Sequence, residues 1–401
     1  MSIKKDVFSE IETIYPELVE LRHQIHANPE LSYAEFATAA LIEEQLKKWE
    51  IPYVRLPDST AIVATIRGQS KQSPCIGIRA DMDALPIEEA ANVSYQSQNK
   101  GIMHACGHDI HTVNLLGSGY VLNQLKNRFA GSVKLVFQPA EEVGGGAKEL
   151  IDYGILDNPK VLAFLATHVS EDVPVGKIRV KAEEMMLASC RFRITLRGRG
   201  GHASAPHQTD DIVLAAAKLI LEIQSIPTRK INYLEPAGIT ITMIHGGERE
   251  NIIPKELTLA GTIRTQDNSL RFEIQKHIEK IIEVQELLTG VHGQVEFRLG
   301  SSAVYNDPAL TKEFIGIARD VLGEDNVIKA KFPNNGSENF SRFSSLIPSV
   351  FFRVGVTDGP IEKVSPTHSS AFRAADLALK TSVAVTTVAA IEFLQNRLKQ
   401  V

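Results

Sequence analysis

Residues 132–168 read SVKLVFQPAEEVGGGAKELIDYGILDNPKVLAFLATH, and their reading decides the fold. Ser132–Phe137 is a short run rich in β-branched and apolar residues, the pattern of a buried strand. It runs into Gln138-Pro139-Ala140-Glu141-Glu142 and then Gly144-Gly145-Gly146. A helix is predicted over Ala147–Tyr153. Val161–Thr167 is the next apolar strand, and it ends on His168. Strand, glycine-rich loop, helix and strand in this order predict a mostly parallel sheet with helices on both faces. In such sheets the chemistry collects beyond the carboxyl ends of the strands. Glu141 and Glu142 sit at one such end. Adjacent side chains diverge, so one can bind a metal while the other holds a water. Taken singly, the pair also fits a charged helix entrance favoured by the helix dipole.

Upstream the pattern repeats. Cys75–Ala80 is a buried strand that leads through Arg79-Ala80-Asp81-Met82-Asp83 to Pro86. This acidic end also fits a solvated turn. It is followed by Met103-His104-Ala105-Cys106-Gly107-His108-Asp109-Ile110-His111-Thr112, which packs three histidines, a cysteine and an aspartate into ten residues. Thiolate and imidazole suit zinc and related divalent ions. Gly107 frees the backbone to aim Cys106 and His108 at one centre. Val113–Leu125 reads as the helix beyond them. Three successive strands of this region therefore end on acidic or imidazole side chains.

Before this region, Val7–Ala27 has helical apolar spacing and Asn28-Pro29 stops it. Ser32 and Glu35 have capping-box spacing ahead of a second helix through Trp49. His23 and His26, on or near the first helix, are expected to be structural or substrate-facing. Ala61–Ile66 is a further short strand.

After His168 the composition changes. Cys190–Arg197 alternates as a half-exposed strand does. Gly198–His207 follows, then a helix over Asp211–Ile226. Strands are predicted at Ile239–Ile244, Glu256–Thr265 and Gln294–Leu299, with a helix at Leu270–Leu288. The β-α-β-β-α-β order describes an inserted two-layer α+β domain over 186–300. Residues 1–185 and 301–401 are then two parts of one α/β domain. The second part has a helix from Asp307 to Leu322, the segment Asn334–Phe340, a strand at Val350–Val354, the loop Ser365–Ser370, and a final helix over Phe372–Leu398.

A chain of 401 residues is long enough for two domains. Hydrophobic residues at 43% and charged residues at 23% are ordinary for a globular protein, and a net charge of -5 argues against nucleic acid as a partner. Three cysteines without regular spacing point to a reducing compartment. Met1–Asp6 is polar and lacks the apolar core of a signal peptide. No uninterrupted apolar run is long enough to span a membrane. These features predict a soluble cytoplasmic protein.

The motifs Arg79–Pro86, Met103–Thr112, Phe137–Gly146, Thr167-His168-Val169, Gly200–His207, Gly336–Phe340 and Pro366–Ser370 resemble, in order and over nearly the whole chain, the metallopeptidase family of aminoacylases, carboxypeptidase G and succinyl-diaminopimelate desuccinylase. They are most similar to its amidohydrolase branch, which includes hippurate hydrolase, N-acetyldiaminopimelate deacetylase and the auxin–amino acid conjugate hydrolases. The resemblance implies a di-metal phosphorylase/hydrolase-like catalytic domain with a ferredoxin-like lid. It implies that Cys106, His108, Glu142, His168 and His368 bind two divalent metals. Manganese or zinc is expected, with nickel and cobalt as alternatives. It makes Glu141 the general base and later the acid, and Asp83 the residue that orients a ligand. Asp81 stands where other branches have a histidine ligand. Ile110 replaces a frequent Gly, and Asn339 a usual Asp.

By the same resemblance His202 donates to the oxyanion, Asn251 and Arg264 hold the substrate carboxylate, and the lid forms a homodimer. A guanidinium suits a carboxylate because its fork is bidentate. Arg264 also fits a surface charge on an alternating strand. His104, His111, His207, His245, His277 and His292 are left over, of which His111 is placed to orient a ligand. The expected activity is hydrolysis of N-acyl-L-amino acids to a carboxylate and a free amino acid. A dipeptidase or carboxypeptidase acting on short peptides is the alternative. A binding protein that had lost catalysis would lack Glu141 or a ligand, and none is missing.

Overall fold

The structure is a computed structural model that describes residues 3–70 and 74–398. Met1 and Ser2 of the polar N-terminal stretch lie outside the described residues. The chain divides into two compact units, Met1–Met185 with Tyr305–Phe332 and Asn339–Val401, and Met186–Val304 with Pro333–Glu338.

The first unit is built on an eight-stranded sheet. Its order is Tyr53–Arg55, Ile62–Arg67, Ser132–Gln138, Cys75–Asp81, Val161–Pro174, Ser349–Thr357, Ile178–Val180, Val327–Lys329. The central pairings, from Ser132–Gln138 through Ser349–Thr357, are parallel. Ser132–Gln138, Cys75–Asp81 and Ser349–Thr357 are buried at every position. That is why they read as continuous apolar runs and not as alternating ones. Both faces are covered. Val350, Phe352 and Val354 join the main core with the helices Ile3–Ala27, His108–Gln124 and Ala378–Leu398. On the other face Phe164 stacks on Phe343 at 5.0 Å between centroids, and Phe351 meets Phe340 at 5.7 Å.

Four local expectations change. The strand from Val161 does not end on His168 but runs on to Pro174, because its pairing with Ser349–Thr357 continues past that residue. Ser32 and Glu35 do not form a capping box. The second helix is Phe36–Lys48, and its first N–H groups, those of Ala37 and Thr38, donate to the Glu30 carboxylate at 3.0 and 2.8 Å. The helix after the cysteine–histidine segment starts at His108 itself, not at Val113. The last helix starts at Ala378, not Phe372. There Ala375 N–H donates to Val356 O of the sheet at 2.9 Å, and Phe372–Ala375 are not helical.

The second unit carries a four-stranded antiparallel sheet, ordered Ala237–Gly246, Glu256–Thr265, Ala188–Arg197, His292–Leu299. The helices Ile212–Arg229 and Asn268–Thr289 bury one stripe each against it, through Ile212, Ala216, Leu219, Ile223 and Ile226 in the first and Leu270, Ile274, Ile278 and Ile282 in the second. The Asp211 and Asp267 side chains cap them by accepting from Leu214 N and Leu270 N. Among the described residues no helix is long and apolar enough to cross a membrane.

Candidate metal centre

The centre forms where strand ends and one helix start meet in the first unit. Gly107 has φ +77°, and a Cβ there would lie 2.7 Å from Val169 Cγ2, so only glycine serves at this turn. The turn presents Cys106 on one side and His108, the first helical residue, on the other. Cys106 Sγ lies 3.4 Å from His168 Nε2 and 3.3 Å from His368 Nε2. His368 itself has φ +65°, and its N–H donates to Ala105 O, which stitches the two loops together. Glu142 Oε1 lies 3.4 Å from His368 Nε2 and 3.9 Å from His108 Nε2. Among the described residues four donor sets overlap here, Cys106–His108–His168, Cys106–Glu142–His368, His108–Glu141–Glu142 and Asp81–His108–His111, each with donor atoms within 4.8 Å of one another.

These residues fit divalent metals. His108 Nε2 and Glu142 Oε1 are buried and have no hydrogen-bond partner, although both belong to groups that rarely stay unsatisfied inside a protein. His168 Nδ1–H donates to Val169 O at 2.8 Å, which leaves the Nε2 lone pair for a metal. Arg353 donates to the same carbonyl through Nε and Nη2. Burial first, then the neighbouring His111 ring and the Arg353 charge, push His168 well below the ordinary imidazole range, so it is neutral and ready to ligate. Burial and the Glu142 carboxylate push the Cys106 thiol up. A bound cation reverses that balance, because a coordinating thiol gives up its proton.

The surrounding layer is carboxylate-rich. Asp83 Oδ1 accepts Glu141 N and Asp83 Oδ2 accepts Glu142 N, each at 3.0 Å. Ser32 Oγ donates to Oδ2 at 2.6 Å, and His108 Nδ1 lies 3.4 Å from Oδ1. Asp81 is fully buried and held by Arg79 at 2.6 Å and His111 Nδ1 at 2.5 Å. Since Val169 N–H donates to His111 Nε2, the His111 proton is on Nδ1 and goes to Asp81. Both ring nitrogens of His111 are thus engaged. Ile110 and Asn339 are buried as well. Asn339 N donates to Glu141 Oε1 at 3.1 Å, and its side chain bonds Arg79, Gln138 and Gly145 O.

In the second unit His202 is exposed in a two-residue strand opposite Ile252, with Nδ1 2.7 Å from Ser204 Oγ. Asn251 is exposed, and its carbonyl accepts Ala203 N at 3.0 Å. Arg264 is half-buried with Nη1 unpaired, and burial followed by the nearby Arg191 charge lowers its basicity. His207, His245 and His292 are exposed.

The sequence model of peptidase family M20/M25/M40 matches residues 77–390. The chain belongs to this family. It is 35% identical to thermostable carboxypeptidase 2 of Saccharolobus solfataricus, over 98% of this chain and 99% of that protein. It is 36% identical to N-acetyl-L-cysteine deacetylase of Bacillus subtilis, over 87% and 82% of the two chains. Its fold matches a dinuclear metal-binding M20 peptidase of Bacillus subtilis with a TM-score of 0.84 at 30% identity, covering 96% of this chain and 99% of that one. This M20 protein is a metal-dependent hydrolase of amide bonds.

Several residues of this M20 hydrolase have roles set by partners far away in the sequence. Arg22 and His26, on the first helix, are buried against Asp109, next to His108. The other His26 nitrogen meets Glu89 at 3.1 Å. Burial disfavours charge on His26, but Asp109 and Glu89 outweigh it and raise its pKa to about 9. His26 is therefore a structural cation. His104 is fully buried with neither ring nitrogen bonded, and burial pushes it down to about 3, so it is neutral.

Proposed function

We propose that this chain hydrolyses N-acyl-L-amino acids, using Cys106, His108, Glu142, His168 and His368 to hold two divalent metals, manganese or zinc first and nickel or cobalt as alternatives. The observation that carries the reading is the membership of Cys106 in two donor sets at once. Two close cations would need negative charge near them, which the Cys106 thiolate or a water would supply. Metals held there would make a water acidic enough to attack at neutral pH and would act as a Lewis acid toward the carbonyl oxygen. Glu141, oriented by Asn339 N–H, takes the proton of that water and hands it to the leaving amine. Asp83 holds the Glu141 and Glu142 backbones and faces His108 Nδ1, so base and ligands are aimed by one carboxylate. His202 serves the oxyanion. Asn251 and Arg264 take the substrate carboxylate, a role that the unpaired Nη1 of Arg264 supports.

A small-molecule substrate with a free carboxylate follows from this assignment. The lid, 186–300, is the dimerisation element in this reading, and the cytoplasm the compartment. The relative named as a carboxypeptidase keeps a second reading open, a dipeptidase or carboxypeptidase with the same machinery. The test is a panel of N-acetyl amino acids, hippurate, dipeptides and carboxyl-blocked amides, assayed after chelation and reconstitution with each metal. Turnover of the acyl amino acids above the dipeptides, lost on blocking the carboxylate, is expected. Preference for dipeptides moves the assignment to the second reading.

A further inference from the structure

The Ala140–Gly146 loop owes its shape to a segment far away in sequence. Glu35 is fully buried. Its Oε1 accepts Ala140 N at 2.9 Å and Tyr33 N at 3.0 Å, and its Oε2 accepts Thr60 Oγ1 at 2.7 Å. Ala140 has φ +57°, in the left-handed region that a residue with a Cβ rarely adopts. The next two N–H groups, of Glu141 and Glu142, go to Asp83. Three successive peptide N–H groups are thus pinned by two buried carboxylates. Tyr33, itself at φ +65°, completes the mould: a Cβ on Gly145 would lie 2.0 Å from its hydroxyl oxygen.

We propose that Glu35 is a positioning residue: by holding Ala140 N–H it keeps residue 140 left-handed and thereby sets the direction in which Glu141 and Glu142 leave the strand. The proposal rests on the reading of Glu141 as the general base. The physical case is that, besides the bond from Gly145 N–H to Ala140 O at 2.8 Å and the hold of Asp83 on the next two N–H groups, Glu35 is the side chain that takes the Ala140 N–H itself. The Ala140 side chain is buried and apolar. Released from Glu35, residue 140 relaxes toward negative φ, and the base swings away from the attack position. What matters is the reach of Oε1, not the charge.

Two conservative variants separate reach from charge. Glu35→Gln keeps an oxygen for Ala140 and Tyr33, and turns its NH2 toward Thr60, whose hydroxyl can rotate to accept. Glu35→Asp keeps the charge but withdraws the carboxylate by one C–C bond, about 1.5 Å, beyond hydrogen-bond reach of Ala140 N. Glu35→Gln is expected to retain at least about a third of wild-type turnover. Glu35→Asp is expected to lose about 10- to 100-fold in kcat, the scale of a small misplacement of a catalytic group, with KM and metal content unchanged. Adding Ala140→Gly to Glu35→Asp should recover turnover, because glycine adopts positive φ without strain.

A second measurement needs no substrate. Amide hydrogen exchange of the metal-free full chain should show peptides covering 138–146 losing protection in Glu35→Asp but not in Glu35→Gln. A reversed order of the two variants in turnover, equal protection in all three proteins, or no recovery with Ala140→Gly overturns the proposal. If the wild type turns over no acyl amino acid, the catalytic reading fails, while the exchange measurement still decides the role of Glu35.

Discussion

Replacing Asp83 by Asn tests the centre most sharply, because no orientation of the amide can satisfy the neighbours. Oδ1 accepts a backbone N–H and faces the His108 ring at 3.4 Å, and Oδ2 accepts a second backbone N–H and the Ser32 hydroxyl. Neither peptide N–H can reverse, so the Asn NH2 must point at one of them. One partly buried N–H is then unsatisfied, which costs about 1–3 kcal/mol, and the remaining bonds lose charge assistance worth about 1 kcal/mol. A loss of about 2–4 kcal/mol at pH 7 follows for the metal-free protein.

The pH dependence follows from the same contacts. Burial alone would raise the Asp83 pKa, but the His108 ring, Ser32 and the Glu142 N–H hold it below its ordinary value. A depressed folded-state pKa gives stability that is present above the unfolded value, about 3.9, and is lost as pH falls through the lower folded value. The gap between wild type and Asp83→Asn should therefore be full at pH 7 and narrow on acidification below about pH 4. Calorimetric unfolding of the first transition, from pH 7 downward, measures it. Metal affinity should fall about 10- to 100-fold, the usual effect of losing a carboxylate behind a liganding imidazole. Unchanged stability at pH 7 together with unchanged metal affinity would refute the reasoning.

Further outcomes follow from the candidate site. Glu141→Gln should lose about 10²-fold or more in turnover and keep its metals; loss of metal in this variant, read by elemental analysis, would make Glu141 a ligand. Cys106→Ser should bind metal more weakly, since an alcohol is a poor substitute for thiolate, and thiol reagents should inactivate the metal-free wild type faster than the loaded one. Equal inactivation rates would remove Cys106 from the coordination shell. If the lid dimerises and His202 acts on the partner subunit, exchanging subunits between His202→Ala and Glu141→Gln should return roughly a quarter of wild-type activity. Mixed dimers seen by native mass spectrometry without that recovery would place His202 in its own subunit's site.

The strands and their functional ends were legible without coordinates because their signals are local. A strand buried on both faces must be apolar throughout, and Ser132–Gln138 and Cys75–Asp81 are. Polar residues such as Asp81, Asp83, Glu141 and Glu142 then stand out at or just past the strand ends, and His168 stands out where the apolar run stops, although its strand continues to Pro174. The alternating strands and capped helices of the second unit are equally local. Spacing could not show which polar neighbours would pair. Ser32 and Glu35 have the spacing of a helix cap, yet Asp83 and Ala140 bind them instead, because satisfying buried groups outweighs satisfying exposed helix N–H groups. Asp81 reads as a candidate at a ligand position, but the Arg79 guanidinium pairs its charge and His111 Nδ1–H donates to it. Arg22 and His26 reach Asp109 across 87 and 83 residues, Glu35 reaches Ala140 across 105, and Asn339 reaches Glu141 across 198. Sequence determined which side chains could do the chemistry. The tertiary structure alone decided their protonation, orientation and backbone support, because burial and charge pairing depend on residues that only folding brings together.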